Sequence, residues 1–277
     1  MTRRPTTEPM IRLRYSIKIG LILMNLLRRL FAPKQSPVAL PFHAQIMPDE
    51  SFYAIGDIHG CDRLLAQLLD KILHDSRGLS HQIICVGDYV DRGEESAQVL
   101  RRLFALHQSE HVNLTCLIGN HEDMMLRFIE DPESHGERWL RYGGLQTLAS
   151  FGVRGAVGAN KASMTALRDA LKEAMGAPLI AWMQSMPTQW QSGNVAVVHA
   201  GADPQLPLRL QDPYVLKWGH PRFQQETRTD DVWVLHGHTI IDKPEATNGR
   251  IAIDTGAYAT GQLTAAYIDC DTARFLS

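Results

Sequence analysis

The sequence is short of cysteine, of net charge and of long apolar runs, and each shortage removes a class of protein. Its four cysteines, Cys61, Cys85, Cys116 and Cys270, contain no CxxC pair. That leaves no basis for a zinc knuckle or a thioredoxin-like motif. Cys85 and Cys116 lie inside the apolar runs IICVG and LTCLIG and read as small core residues, a usage that fits a reduced, cytoplasmic compartment. A formal net charge of −2 gives no global field favouring nucleic acid, so no nucleic-acid partner is expected. No internal repeat or low-complexity tract stands out. What remains, 44% apolar and 21% charged over 277 residues, is the balance of a soluble globular chain with room for one large domain or two small ones.

The N-terminus differs from the rest. Residues 1–36 carry Arg3, Arg4, Arg12, Arg14, Lys18, Arg28, Arg29 and Lys34 against a single acid, Glu8. The apolar run within them, Ile19 to Leu27, covers only about half of a ~30 Å hydrocarbon core and cannot span it. Arg28 and Arg29 follow at once and no A-x-A site is present, unlike a signal peptide. Two expectations stay open: peripheral contact of this basic segment with an anionic membrane, at its inner face, or a dispensable extension, since Met10 and Met24 are also plausible starts. Pro33, Pro37, Pro41 and Pro48 mark residues 32–50 as a linker, so residues 1–50 read as extension plus linker and 51–277 as the domain.

The domain begins with a repeated rhythm. Apolar runs at Phe52–Ile55, Gln82–Val86 and Val112–Ile118 each end in Gly followed by Asp or Asn, with helical spacing after the first two and a helix expected over Glu122–Ile129. Steps of ~30 residues match βαβ units. In such sheets ligands bind at the carboxyl ends of the strands, where these polar groups gather. Residues 131–187 read as a mostly helical insert, with a helix over Ala162–Met175. Short runs at 195–198, 232–235, 251–253 and 263–268 suit a second sheet.

Five segments carry the chemistry: Gly56-Asp-Ile-His-Gly60, Gly87-Asp-Tyr-Val-Asp-Arg-Gly93, Gly119-Asn-His-Glu122, His199-Ala-Gly201 and His236-Gly-His-Thr239. Each offers oxygen or imidazole donors on a tight glycine turn. The mixture suits Mn²⁺, Fe or Zn²⁺ better than the all-oxygen preference of Ca²⁺ or Mg²⁺.

Together these segments resemble the signature of the phosphoprotein phosphatases, within the calcineurin-like metallophosphoesterases. Trp139-Leu-Arg-Tyr-Gly-Gly-Leu-Gln-Thr-Leu148 and Ile253-Asp-Thr-Gly-Ala257 look most like the bacterial branch. The resemblance implies an α/β fold whose core is a two-sheet sandwich flanked by helices. It implies two divalent ions, most simply Mn, with Fe or Zn possible. Asp57 and His59 match ligands of the first, Asp88 the bridging carboxylate, and Asn120, His199 and His238 ligands of the second. His121 matches the general acid, Asp91 its orienting partner and Arg92 a phosphate-binding arginine, and Asn120 also faces substrate. The implied reaction is direct hydrolysis by a hydroxide bridging the metals, acting on phosphoserine or phosphothreonine proteins. A second phosphate-binding arginine is expected soon after a tryptophan. Here Leu216-Lys-Trp-Gly-His-Pro-Arg222 puts His220 in that slot and Arg222 two residues on, so either is a candidate. Symmetrical dinucleoside-tetraphosphate hydrolases share GDIHGC, present at 56–61, but usually lack the Val-Asp-Arg run, so Val90-Asp91-Arg92 favours the protein phosphatase. A non-catalytic phosphoprotein-binding relative is disfavoured because every ligand position is filled. The insert around Trp139 to Gly144, lying between metal motifs, is expected to shape substrate access.

Overall fold

The computed structural model describes residues 42–155 and 161–277. The basic segment 1–36, with its expected membrane contact, lies outside the described residues. Among the described residues no helix is long and apolar enough to cross a membrane.

The chain order is β1 (Phe52–Ile55), α1 (Asp62–Asp75), β2 (Gln82–Cys85), α2 (Ser96–His107), β3 (Asn113–Cys116) and α3 (Asn120–Glu130). The insert follows as α4 (Pro132–Trp139), a wide turn (Leu140–Gly144), α5 (Leu145–Ser150), α6 (Lys161–Met175) and α7 (Ala177–Gln184). Next come β4 (Gln189–Ser192), β5 (Val195–Val198), α8 (Pro213–Trp218), β6 (Trp233–His236), β7 (Glu245–Thr247), β8 (Arg250–Ala252), α9 (Ala257–Thr260), β9 (Ala265–Asp269) and β10 (Thr272–Leu276).

The strands form two five-stranded sheets, β10-β9-β1-β2-β3 and β4-β5-β6-β8-β7. In the first, β1, β2 and β3 are parallel and β9 runs antiparallel to β1; in the second, β5, β6 and β8 are parallel. Side chains alternate between faces along a strand, and this alternation builds the layers. Phe52 and Ala54 of β1 join Ile84, Val195, Val197, Leu235 and Ile251 in the core between the sheets. Tyr53 and Ile55 point the other way, to Leu65, Leu68, Leu100, Leu103 and Phe128 of the helices. The outer face of the second sheet, Ala196, Val198 and Val234, is covered by Leu208, Leu216 and Phe223. This is the expected α/β sandwich with flanking helices.

Two expectations are corrected. The run at 263–268 belongs to the first sheet, because β9 pairs along the open edge of β1 in register Phe52↔Ile268 to Ile55↔Ala265. The stretch 42–50 is also not a free linker. Ile46 is buried, Phe42 packs edge-on against Trp233 at 5.0 Å, and the Trp233 indole donates to Ala44 O at 3.0 Å. The domain therefore includes these residues.

Candidate metal centre

The five segments arrive at one edge of the sandwich because each follows a strand. β1 delivers Asp57 and His59, β2 Asp88 to Arg92, β3 Asn120 and His121 at the start of α3, β5 His199 and β6 His238. The turns are tight enough to force left-handed backbone at His59 (φ 44°), Asp88 (53°), Asp91 (73°), Arg92 (67°) and His238 (64°). Such conformations are uncommon outside glycine and collect where a site over-determines them. Gly237 shows how close the packing is: a Cβ there would lie 1.8 Å from Asp57 Oδ1.

Asp88 is the pivot. Its Oδ2 faces His59 Nε2 at 3.4 Å, and its Oδ1 faces His199 Nε2 at 3.3 Å. Asn120 Oδ1 lies 2.9 Å from both His199 Nε2 and His238 Nδ1. Backbone carbonyls fix two of the tautomers. His59 Nδ1 donates to Val90 O at 2.8 Å and His199 Nδ1 to Val86 O at 3.2 Å, so in each ring Nε2 is the nitrogen turned to the centre and carries the lone pair whenever the ring is neutral. Imidazole, amide oxygen and carboxylate thus converge. Two groupings result, His59/Asp88/His121 and Asp88/His199/His238, with Asp88 common to both.

The electrostatics agree. Burial pulls His59 down to about 3 and His238 down to about 4, so both stay neutral and able to donate a lone pair. Burial raises Asp57, and the neighbouring Asp254 and Asp88 raise it further against His199. Burial opposes ionisation of Asp88, but His199, His121 and His59 outweigh it and hold the carboxyl well below its usual range. His199 is pushed up to about 9, burial opposing and Asp88 prevailing. Without a cation, a proton on His199 takes up part of that anionic excess. The donor set and its bridging carboxylate fit a pair of divalent ions. His59 and Asp88 would hold one; Asp88, Asn120, His199 and His238 would hold the other. Asp57 is buried beside them, both its oxygens within reach of the His238 amide N–H at 3.0–3.1 Å, and it stands outside both groupings. Bound ions of this kind polarise a phosphoryl oxygen and acidify water.

The chain's own acid–base group is set beside the pivot. His121 Nδ1 donates to Asp91 Oδ2 at 2.7 Å, and its Nε2 lies 3.9 Å from Asp88 and 3.3 Å from Arg92 Nη2. Burial pulls His121 down, but Asp88 and Asp91 overcome it and raise the imidazole. Burial likewise raises Asp91 against its hydrogen bonds from His121 and Thr147. A group kept protonated in this way can donate to a leaving oxygen. Arg92 is steered by Tyr258, whose hydroxyl it meets at 3.1 Å and whose ring lies 4.9 Å from the guanidinium carbon.

Several contributors were not evident from the motifs. Glu122 accepts the backbone N–H of Asp88 (2.8 Å), Tyr89 (2.8 Å), Val90 (3.2 Å) and Gly119 (3.0 Å), clamping the second motif to the third. Asp91 receives Trp139 Nε1 at 3.1 Å and Thr147 Oγ1 at 2.6 Å. Trp139 is fully buried, so the insert orients the acid pair through it rather than shaping access with this side chain. Arg222 is engaged by two acids. Asp203 holds its guanidinium at 3.1–3.2 Å and Glu226 lies 3.9 Å away. His220, whose Nε2 lies 3.7 Å from the same Asp203, lines a cleft of about 500 Å³ that also contains His238. His236 is buried with Nε2 unpartnered and takes no part.

Comparison with known proteins bears on the same residues. A bis(5'-nucleosyl)-tetraphosphatase (symmetrical) of Pseudomonas fluorescens is 31% identical over 163 residues, covering 57% of this chain and 45% of its own length. The chain thus spans less than half of that relative. Bis(5'-nucleosyl)-tetraphosphatase PrpE (asymmetrical) of Oceanobacillus iheyensis is 27% identical over 234 residues, covering 76% of this chain and 86% of its own. A crystal structure of a candidate diadenosine tetraphosphatase superposes with a TM-score of 0.57 at 19% identity, over 84% of this chain and 98% of that one, which shows the shared fold. The preference for a protein phosphatase suggested by Val90–Arg92 is not what these relatives favour. The calcineurin-like phosphoesterase family model matches residues 51–242, the stretch that supplies the convergent donors, the acid pair and the arginine. With that match, the chain belongs to the calcineurin-like phosphoesterase family.

Proposed function

We propose that the protein hydrolyses dinucleoside polyphosphates. The observation that carries this reading is the similarity to the asymmetrical bis(5'-nucleosyl)-tetraphosphatase, which runs along 86% of that relative's length. The site is consistent with it. Arg92 offers a fork of donors for a phosphate chain beside Asp88 and His121. Mn²⁺ is the ion we expect, with Fe and Zn²⁺ compatible with the same donors.

A second reading, hydrolysis of phosphoserine or phosphothreonine on proteins, is favoured by the His121–Asp91 pair at 2.7 Å. An alkoxide leaving group needs a proton, whereas a nucleotide leaves as a stable phosphate anion. The test is phosphate and nucleotide release by metal-stripped protein with Mn²⁺ restored, comparing diadenosine tetraphosphate with a phosphoserine peptide. Faster cleavage of the nucleotide supports the first reading, and its products distinguish symmetrical from asymmetrical attack. Turnover of the peptide alone refutes it in favour of the second.

A further inference from the structure

Beside the metal centre, a cleft of about 500 Å³ is lined by His238, Thr239, Tyr214, Trp218, His220 and Phe223, among others. Tyr214 and Trp218 lie four residues apart on α8, so their side chains share a helix face. Their rings are 5.9 Å apart and nearly parallel, at 16°. Arg138 from the insert sits 4.9 Å from the Trp218 ring, and the indole Nε1 is buried without a partner. Tyr214 is 55% exposed, which leaves a large aromatic side chain open to water in the lining of this cleft.

We propose that Tyr214, backed by Trp218, is the stacking platform for a nucleobase of the substrate, an assignment that rests on the dinucleoside polyphosphate reading. A purine is flat, matches the parallel ring pair, and gains affinity by stacking whatever its hydrogen-bonding edge. The cleft joins platform and centre: the same cavity holds Tyr214 and the candidate ligand His238, so one molecule can place its base on the ring and its phosphates at Asp88 and Arg92. His220 lines the same cavity. A volume of this size is in the usual range for a small-molecule site. A phosphopeptide offers no regular flat ring for such a platform.

The test uses the full chain loaded with Mn²⁺ and compares diadenosine tetraphosphate with tripolyphosphate, which keeps the anhydride and lacks the base. In Tyr214→Ala the ratio of kcat/KM for the two substrates should fall about tenfold, through KM, and Tyr214→Phe should restore it. A ratio unchanged in Tyr214→Ala, or not restored by Phe, overturns the platform even if diadenosine tetraphosphate is a good substrate. Binding of AMP, followed by tryptophan fluorescence, separates the two ideas. If the wild type leaves diadenosine tetraphosphate intact but binds AMP, and Tyr214→Ala does not, the functional reading fails and the base subsite stands. Absence of AMP binding together with inert diadenosine tetraphosphate removes both.

Discussion

Replacing Asp91 with Asn tests the acid assignment with almost no change of shape. Asp91 is completely buried and takes three donors: His121 Nδ1 and Trp139 Nε1 on Oδ2, and Thr147 Oγ1 and Trp139 Nε1 on Oδ1. Asn keeps one acceptor oxygen. The cheaper orientation turns that oxygen to His121, because the Thr147 hydroxyl can redirect its proton to Ser96 Oγ at 3.2 Å. His121 then keeps its tautomer but loses the anion 2.7 Å from its ring that helps to raise it. The imidazolium becomes harder to maintain, so the alkaline limb of the rate profile should move down by about one to three pH units. General-acid donation contributes about 10²–10⁴ in rate. A loss of about 10³, or about 4 kcal/mol, is therefore expected for aryl phosphates with poor leaving groups, shrinking towards unity as the leaving group improves. The assay is kcat against leaving-group pKa for both proteins with Mn²⁺ bound. An equal loss across the series, with the alkaline limb unmoved, would refute the assignment.

Glu122→Gln leaves at least two of the four backbone N–H groups on that carboxylate facing an NH₂, and should cost about 3 kcal/mol in urea unfolding; a loss under about 1 kcal/mol would mean the clamp is not structural. Arg222→Ala should leave kcat/KM within about threefold, since Asp203 already holds that guanidinium, whereas Arg92→Ala should lower it about 100-fold. The reverse ranking would restore Arg222 to the site. Titrating metal-free protein with Mn²⁺ near pH 7.5 should release about one proton from His199, seen in calorimetry as a dependence on buffer ionisation heat. The sign follows from the raised imidazole. Its contribution to the metal-free fold is complete below about 6.5 and is lost as pH rises through about 9, while Mn²⁺ binding strengthens over the same interval. Proton release that is absent or grows above pH 9 would contradict the placement of His199.

Local pattern fixes an element when its signal is contained within it, and the first three strands meet that condition. Each is an apolar run closed by Gly-Asp or Gly-Asn, and the structure puts β1, β2 and β3 at those runs, with α1 and α2 where helical spacing follows the first two. Most of the metal centre is legible for the same reason, since a donor that follows a strand directly has its position set by the strand. The run at 263–268 carries no such information about its partner. Alternating small and apolar residues suit either sheet, and only the open edge of β1 decides the pairing. The partner of Arg222 was not legible, because its distance from Trp218 along the chain says nothing about Asp203, nineteen residues earlier, which holds it.

The acid pair is where local reading stops, and the physical demand of a buried carboxylate shows why. Asp91 cannot stay ionised at 0% exposure without donors. Its own motif supplies few, so they must come from elsewhere in the chain. They come from the insert: Trp139 at the end of α4 and Thr147 in α5, brought to the same carboxylate by the wide turn between them. That turn depends on Gly143, whose φ of 120° suits glycine and where a Cβ would lie 2.7 Å from the Arg92 backbone nitrogen. Gly143 is thus the means by which the insert approaches the Asp91–Arg92 turn. A buried indole N–H and a buried carboxylate, each lacking a partner nearby in sequence, were the available signal that the two segments meet.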